Sequence, residues 1–324
     1  MIILFEKDLI KPILLEQHEA LERRIVKNHP SRVYVEEKLI NLRSGYRGEK
    51  NLHYFLSLLP PKRYHIFHDI RLPHGDSYFQ IDAFLLSEKF GLIIDSKNYS
   101  GSLVLERHQL TQEVNENKKV YSNPLSQVSR HKILLNYWFE KNQLPLVPLD
   151  HLVCFTNPKA SLHISAGYIE AEKKVCKAEN LLMKIGELDK YFKKECLDLK
   201  AMGKIKRQIL VKNTPLKSDI LLMYNIDISE IITGVQCPKC LYIPLHYKGR
   251  NWECPSCDSI SKDAHLPAIY DFFLLIKPLI TNAELCWFLQ LPSPRAAAYL
   301  FSHLNFPHSG TNKGRIYHQP KSFL

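Results

Sequence analysis

Two short apolar segments, each with a carboxylate near one end, limit most strongly how this chain can fold. Residues 79–86 and 92–97 have the composition of β-strands, and a short turn separates them. A hairpin between them would bring Asp82 within reach of Asp95, and Lys97 follows Asp95 by two residues, on the same strand face. Burying two acids and a lysine among Ile, Leu and Phe is costly unless they pair or bind a cation.

This set of side chains suits phosphodiester hydrolysis. Two carboxylates can hold Mg²⁺ through their oxygens, and the cation stabilises phosphoryl charge and acidifies a bound water. A nearby lysine can orient that water or stabilise the developing charge. The structural alternative for Asp95 and Lys97 is an ion pair at a strand end that has no chemical role.

Predicted helices and further strands surround this hairpin. Residues 49–59 form a predicted helix, which Gly45 and Gly48 are expected to separate from a helix-prone N-terminal stretch. The other predicted elements are a strand over 64–72, a long helix from Asn123-Pro124 to about Lys141, and a strand over 152–155. The mixture indicates an α/β domain over about 45–160.

Four pieces of this region resemble, in order and spacing, the nuclease-related domain (NERD), a relative of the PD-(D/E)XK nucleases. The matching pieces are Gly48-Glu49 at a helix start, Gln80-Ile81-Asp82, Asp95-Ser96-Lys97-Asn98 followed by Gly101, and Asn123-Pro124 with Gln127. The resemblance implies a restriction-endonuclease-like mixed sheet flanked by helices.

The same resemblance implies roles for five side chains. Asp82 and Asp95 would bind Mg²⁺ or Mn²⁺, and Lys97 would be the catalytic lysine. Glu49 would supply a further acid from the first helix, and Gln127 would line the site as a polar group. A first-turn glutamate also complements a helix dipole, and a polar residue early in a helix needs no function, so Glu49 and Gln127 each have a structural alternative.

Four cysteines form two C-x-x-C pairs at the metal-binding spacing. They are Cys237, Cys240, Cys254 and Cys257. Tetrahedral Zn²⁺ needs four soft donors, and two such pairs supply them, so residues 233–262 are predicted to form a small structural zinc ribbon. The alternative is a redox dithiol pair or a set of reduced structural thiols.

The last part of the chain, residues 263–324, has the pattern of a helix-turn-helix-like module. Thr281 to Glu284 is a capping box, and Ser293-Pro294 is expected to cap a second helix. In a winged-helix-like arrangement Arg295 would lie in the major groove of DNA, while Lys313 and Arg315 would contact phosphate. The alternative is an ordinary helical hairpin without nucleic acid.

Composition favours a polyanionic partner. The formal net charge is +11, which favours binding to a polyanion such as nucleic acid. The chain has no Walker A and no G-x-G-x-x-G motif, so ATP-driven and Rossmann-type chemistry lack support. No apolar run is long enough to span a membrane. The N-terminal residues become charged too early for a signal peptide, so we expect a cytoplasmic protein without membrane association. A helical extension (1–44) and a helical, basic connection (161–232) complete the expected organisation.

Together these features predict a metal-dependent DNA endonuclease or nickase that uses Mg²⁺ or Mn²⁺ and carries Zn²⁺ in a separate ribbon. Two alternatives remain at this point. One is a non-catalytic DNA-binding or regulatory protein with a nuclease-like fold. The other is an RNA-processing nuclease. The sequence gives no indication of the oligomeric state.

Overall fold

The computed structural model describes residues 5–320, with the side chain of Lys313 left out. The described chain divides into two compact units. One unit holds the described residues up to Lys11 together with Arg43–Leu216, and the other holds Pro12–Leu42 and the chain from Lys217 onward. Among these residues no helix is both long enough and apolar enough to cross a bilayer.

Strands and helices alternate along the chain and define its mixed α/β class. The strands are β1 (Phe5–Lys7), β2 (His65–His74), β3 (Ser77–Leu86), β4 (Gly91–Lys97), β5 (Gly101–Leu105), β6 (Gln109–Val114), β7 (Asn117–Ser122), β8 (Leu149–Phe155), β9 (Ala160–Ile164), β10 (Val175–Lys177), β11 (His246–Lys248), β12 (Asn251–Glu253), β13 (Ile260–Ser261), β14 (Leu279–Thr281), β15 (His308–Ser309) and β16 (Ile316–His318). The helices are α1 (Ile13–Arg24), α2 (Arg32–Ser57), α3 (Pro124–Lys141), α4 (Ile169–Lys174), α5 (Leu181–Tyr191), α6 (Leu199–Lys212), α7 (Ile220–Met223), α8 (His265–Leu275), α9 (Asn282–Leu289) and α10 (Pro294–Leu304).

A six-stranded mixed sheet forms the centre of the first unit, in the order β1-β2-β3-β4-β8-β10. The ladders β2–β3 and β3–β4 are antiparallel, while β1–β2, β4–β8 and β8–β10 are parallel. A second sheet has the order β7-β6-β5-β9. The mixed α/β class predicted from the sequence is therefore confirmed.

The two faces of the central sheet pack against different helices. Phe84 and Val153 are buried with Trp138 of α3, whereas their neighbours Leu85 and Leu152 are buried with Ile185 of α5 and with side chains of α2. This alternation is the two-residue period of a strand covered on both sides. Asp82 is two residues from Phe84, and Asp95 and Lys97 are two and four residues from Ile93. All three therefore lie on the face of the sheet that α3 covers.

The helix expected over 49–59 is much longer than predicted. Helix α2 runs without interruption from Arg32 to Ser57, so the expected break at Gly45 and Gly48 is wrong. Apolar residues on the buried side of α2 continue to pack past both glycines, which offsets their low helix propensity. In the N-terminal stretch, expected to be helical, the described residues form strand β1 and then helix α1 and the start of α2.

The second unit has its own core and two small sheets. Trp252, Phe272 and Phe288 are fully buried there, and the sheets have the orders β11-β12-β13 and β14-β16-β15. The capping box between Thr281 and Glu284 is confirmed, since each side chain bonds the other residue's backbone N–H. Ser293 caps α10 as predicted, by accepting from the Ala296 N–H.

Candidate active site and cysteine cluster

The register of β3 and β4 places the two predicted carboxylates side by side. Ala83 pairs with Ile94, so Asp82 lies one step further along, opposite Asp95. The carboxylate of Asp82 also accepts a hydrogen bond from the Ser96 N–H at 2.8 Å through Oδ2. The hairpin therefore brings together the acids that the sequence singles out.

Lys97 joins this pair from the last position of β4. Its Nζ lies 2.9 Å from Oδ2 of Asp95 and donates to Oε1 of Gln127 on α3 at 3.1 Å. Burial opposes the charge on the lysine, but the carboxylates of Asp95 and Asp82 hold its pKa above the ordinary value. Lys97 is therefore a fixed cation at neutral pH.

The two aspartates share an environment that disfavours their negative charge. Burial raises the pKa of Asp82 well above its ordinary value, and the nearby charges of Asp95 and Glu49 raise it further. Burial also raises the pKa of Asp95, against the opposing effect of Lys97. A bound cation would relieve this concentration of like charge.

Glu49 reaches the same region from α2, which packs closely on the end of β4. A Cβ atom at Gly48 would lie 2.7 Å from Cβ of Asn98 and 2.8 Å from Oγ1 of Thr156. Asn98 donates through Nδ2 to the carbonyl oxygen of Ser44 at 2.7 Å. Gly48 is thus the residue that permits the close helix–strand approach.

The carboxyl group of Glu49 is poorly satisfied. Its Oε2 is buried and has no hydrogen-bond partner among the described residues. Burial and the nearby charge of Asp69 raise the pKa of Glu49 to about 7, against the opposing effect of Lys7. Glu49, Asp82 and Asp95 offer the hard oxygen donors that Mg²⁺ and Mn²⁺ prefer, so their chemistry fits such an ion. In the described chain the ligand oxygens of these three acids do not all lie within 4.8 Å of one another.

Two charged residues near the acids are absent from the sequence prediction. Asp69 lies on β2 between His68 and Ile70, which pair with Ala83 and Ile81 of β3. Asp69 is therefore adjacent to Asp82 on the neighbouring strand. Lys7 of β1 donates to the carbonyl oxygens of His68 and Asp69 at 2.7 and 2.8 Å. An acid within the apolar β2 segment was the available signal for Asp69, whereas no local pattern points to Lys7.

The four cysteines of the C-x-x-C pairs converge in the second unit. Their sulfur atoms all lie within 4.8 Å of one another, with 3.7 Å between Cys237 and Cys257 and 3.5 Å between Cys240 and Cys254. Four sulfurs at ~2.3 Å from a central ion, in tetrahedral geometry, are about 3.8 Å apart. A disulfide would need about 2 Å, so the cluster has the dimensions of a metal site.

Hydrogen bonds to sulfur favour the thiolate form of Cys237 and Cys257, whereas burial raises the pKa of Cys254 to about 11. Burial opposes ionisation of Cys237, but the Ser259 hydroxyl and the backbone N–H groups of Cys240 and Lys239 lower its pKa to about 6. Among residues 5–320 the four cysteines are the one group of three or more His, Cys, Asp or Glu side chains whose ligand atoms lie this close together.

The predicted nucleic-acid contacts lie in the C-terminal part of the second unit. Arg295 is exposed in the first turn of α10. Arg315 precedes β16 and is half-buried, with its Nε lacking a hydrogen-bond partner in the described structure. The side chain of Lys313 lies outside the described part of the chain.

The domain that carries the acids has recognisable relatives. Residues 44–156 match the model of the nuclease-related domain. The matched residues include Glu49, Asp82, Asp95, Lys97 and Gln127, while Lys7 and the cysteine cluster lie outside the match. The matched region makes up about a third of the chain.

An uncharacterised protein of Bacillus anthracis is 30% identical to this chain over 122 residues. The aligned region covers 36% of this chain and 55% of that protein, so the chain spans about half the length of the curated relative it matches. No solved structure matches the chain.

Proposed function

We propose that this protein is a metal-dependent DNA endonuclease or nickase of the PD-(D/E)XK type. The observation that carries the proposal is the convergence of Asp82, Asp95 and Lys97 at the end of one hairpin, inside the region that matches the nuclease-related domain. Asp82 and Asp95 would hold Mg²⁺ or Mn²⁺, with Glu49 as a further oxygen donor or proton acceptor nearby.

The side chains around the acids would have different roles in hydrolysis, set by their charge. A bound divalent cation supplies charge stabilisation at the phosphoryl oxygens and acidifies a water molecule. Lys97, held protonated by Asp95, donates hydrogen bonds and cannot act as the base. Gln127 accepts from Lys97 and fixes the direction of its ammonium group. Glu49, with a pKa of about 7, can hold or release a proton near neutral pH.

The second unit would hold the substrate. In this proposal Zn²⁺ binds Cys237, Cys240, Cys254 and Cys257 and stabilises a ribbon, while α9, α10 and the β14-β16-β15 sheet form a winged-helix-like module. Arg295 would lie in the major groove of DNA, and Lys313 and Arg315 would contact phosphate. The net charge of +11 supports binding to a polyanion.

The substrate class is tested with one nucleotide sequence prepared as duplex DNA, single-stranded DNA and RNA. We expect Mg²⁺-dependent cleavage of DNA by the wild type, loss of cleavage in Lys97→Ala, and unchanged cleavage in Lys119→Ala, an exposed lysine on β7. Binding of DNA without cleavage by the wild type would favour a non-catalytic DNA-binding protein. Faster cleavage of RNA than of either DNA would identify an RNA-processing nuclease.

A further inference from the structure

A pocket lies beside the first residues of β8, where the short strand β10 does not extend along it. Strand β10 pairs with β8 only over Val153–Phe155, so Leu149–Leu152 have no strand neighbour on that side among the described residues. A cavity of about 610 Å³ lies against this edge and is walled by side chains of α3, α4 and α5. Its volume is in the range of small-ligand sites.

The charge of this cavity is predominantly positive. Its lining includes Lys132, Lys173, Lys174 and Lys184 but just two carboxylates, those of Asp150 and Glu187. We call these four lysines, with Asp150 and the cavity between them, the lysine pocket. The excess of two positive charges is held close to a sheet edge, where Lys132, Lys174 and Lys184 are partly buried and Lys173 is exposed.

Two of the four lysines are fixed by the protein itself. Lys174 donates to both oxygens of the buried Asp150, at 2.5 and 2.6 Å, and Asp150 also accepts from the backbone N–H of His151 at 2.8 Å. Lys184 donates to the carbonyl oxygen of Glu172 at 3.3 Å, and its Nζ lies 3.5 Å from Oε2 of Glu187. These bonds hold two ammonium groups in place before any ligand arrives, which lowers the entropic cost of binding an anion.

The other two lysines lack a counter-charge. Neither Lys132 nor Lys173 forms an ion pair within the described chain, although both face the same cavity. His151 in the same lining is kept neutral, since burial together with Lys174 and Lys132 lowers its pKa to about 4 despite Asp150. The pocket therefore has two unpaired cations and no charged histidine to alter this balance near neutral pH.

We propose that the lysine pocket binds phosphate groups, as a site separate from the carboxylates of Asp82 and Asp95. Four ammonium groups around one cavity match the several oxygens of a phosphate. The ring of Tyr191 is 76% exposed at the same cavity and offers a stacking surface for a nucleoside attached to that phosphate. A free phosphate and a nucleotide share this chemistry and differ in whether Tyr191 contributes.

Calorimetric titration of the full-length protein with inorganic pyrophosphate, in buffer without divalent metal, tests the site. We expect saturable binding by the wild type and at least tenfold weaker binding by the double variant Lys132→Gln/Lys173→Gln. The matched control is Lys118→Gln/Lys119→Gln on β7, which removes the same charge from another part of the unit. Equal weakening in both double variants, or no binding by the wild type, would overturn the proposal.

Two further titrations ask whether the ligand is a nucleotide or a free phosphate, and whether it binds at the lysine pocket or at the carboxylates of Asp82 and Asp95. Thymidine 5′-monophosphate should bind more tightly than thymidine, and Tyr191→Ala should weaken the nucleotide but not pyrophosphate if the natural ligand is a nucleotide. Asp82→Asn should leave pyrophosphate affinity within twofold of the wild type. A large loss in Asp82→Asn would place the binding at the acids and contradict a separate site, whether or not the protein is a nuclease.

Discussion

The Nζ atom of Lys97 lies 2.9 Å from Oδ2 of Asp95, and both side chains are largely buried. An ion pair in that position costs desolvation on both partners, and a solvated pair at the surface would have avoided this cost. The pair is therefore better explained by the proposed hydrolysis than by the stability it adds.

Lys97→Met should slow DNA hydrolysis by about 10²–10³-fold, the range found when a donor to a developing oxyanion is removed. The loss arises because methionine keeps the length of the side chain without its charge. Gln127→Leu should slow hydrolysis by only about tenfold or less, because Gln127 orients Lys97. Cleavage rates are measured on a labelled DNA duplex, and urea denaturation checks that each variant is folded. Equal rates for the wild type, Lys97→Met and Gln127→Leu would contradict the role assigned to Lys97.

Gly48→Ala should lower the free energy of unfolding by about 1–3 kcal/mol, because its Cβ would overlap Asn98 and Thr156. Gly45→Ala is the matched change in the same helix, where a Cβ would meet nothing within 4 Å. That variant should gain about 0.5–1 kcal/mol from helix propensity. Chemical denaturation distinguishes the two, and a shift of the same sign in both would contradict the close approach of α2 to β4.

The contrast between these glycines shows where sequence reasoning ends. The strand hairpin, the acids that face each other across it, the start of α3 at Asn123-Pro124, and the caps at Thr281 and Ser293 all depend on local patterns, and the structure confirms them. The continuity of α2 through Gly48 depends on what packs against that residue from Asn98, far along the chain.

The charged residues around Glu49 illustrate the same limit. Lys7 and Asp69 approach Glu49 because β1 and β2 are neighbours in the sheet, and strand order is a non-local property. No spacing rule links position 7 to position 49. No local pattern predicts the second sheet either, because its β6–β7 hairpin is mostly exposed and lacks an apolar pattern.

Glu49→Gln should make stability less dependent on pH. The folded-state pKa of Glu49 is raised from 4.5 to about 7, so its contribution is fully present below pH 4.5 and is lost as the pH rises through 7. At pH 7.5 the variant should therefore exceed the wild type in unfolding free energy by up to about 3 kcal/mol. Urea titrations in metal-free buffer at pH 4 and 7.5 measure the unfolding free energies of both proteins. A difference between variant and wild type that is the same at both pH values would contradict the raised pKa of Glu49.

Cys257→Ser should abolish zinc binding and lower the melting temperature of the second unit. Three remaining sulfurs no longer complete a tetrahedral site, and the energy of a structural zinc contributes directly to folding. Cys196→Ser is the control, since Cys196 is exposed and lies outside the cluster. Elemental analysis should give one zinc per chain for the wild type and the control, and a metal-free wild type would contradict the ribbon.

The central claim is that Asp82, Asp95 and Lys97 form one hydrolytic site. Its most direct test is incubation of supercoiled plasmid with Mg²⁺ or Mn²⁺ and either the wild type or Asp82→Asn, which removes the charge of the carboxylate but keeps its shape. The account predicts nicked or linear plasmid with the wild type, and none with the variant or with EDTA. Equal nicking by Asp82→Asn would contradict it, as would retardation of the plasmid on a gel by both proteins without any strand break.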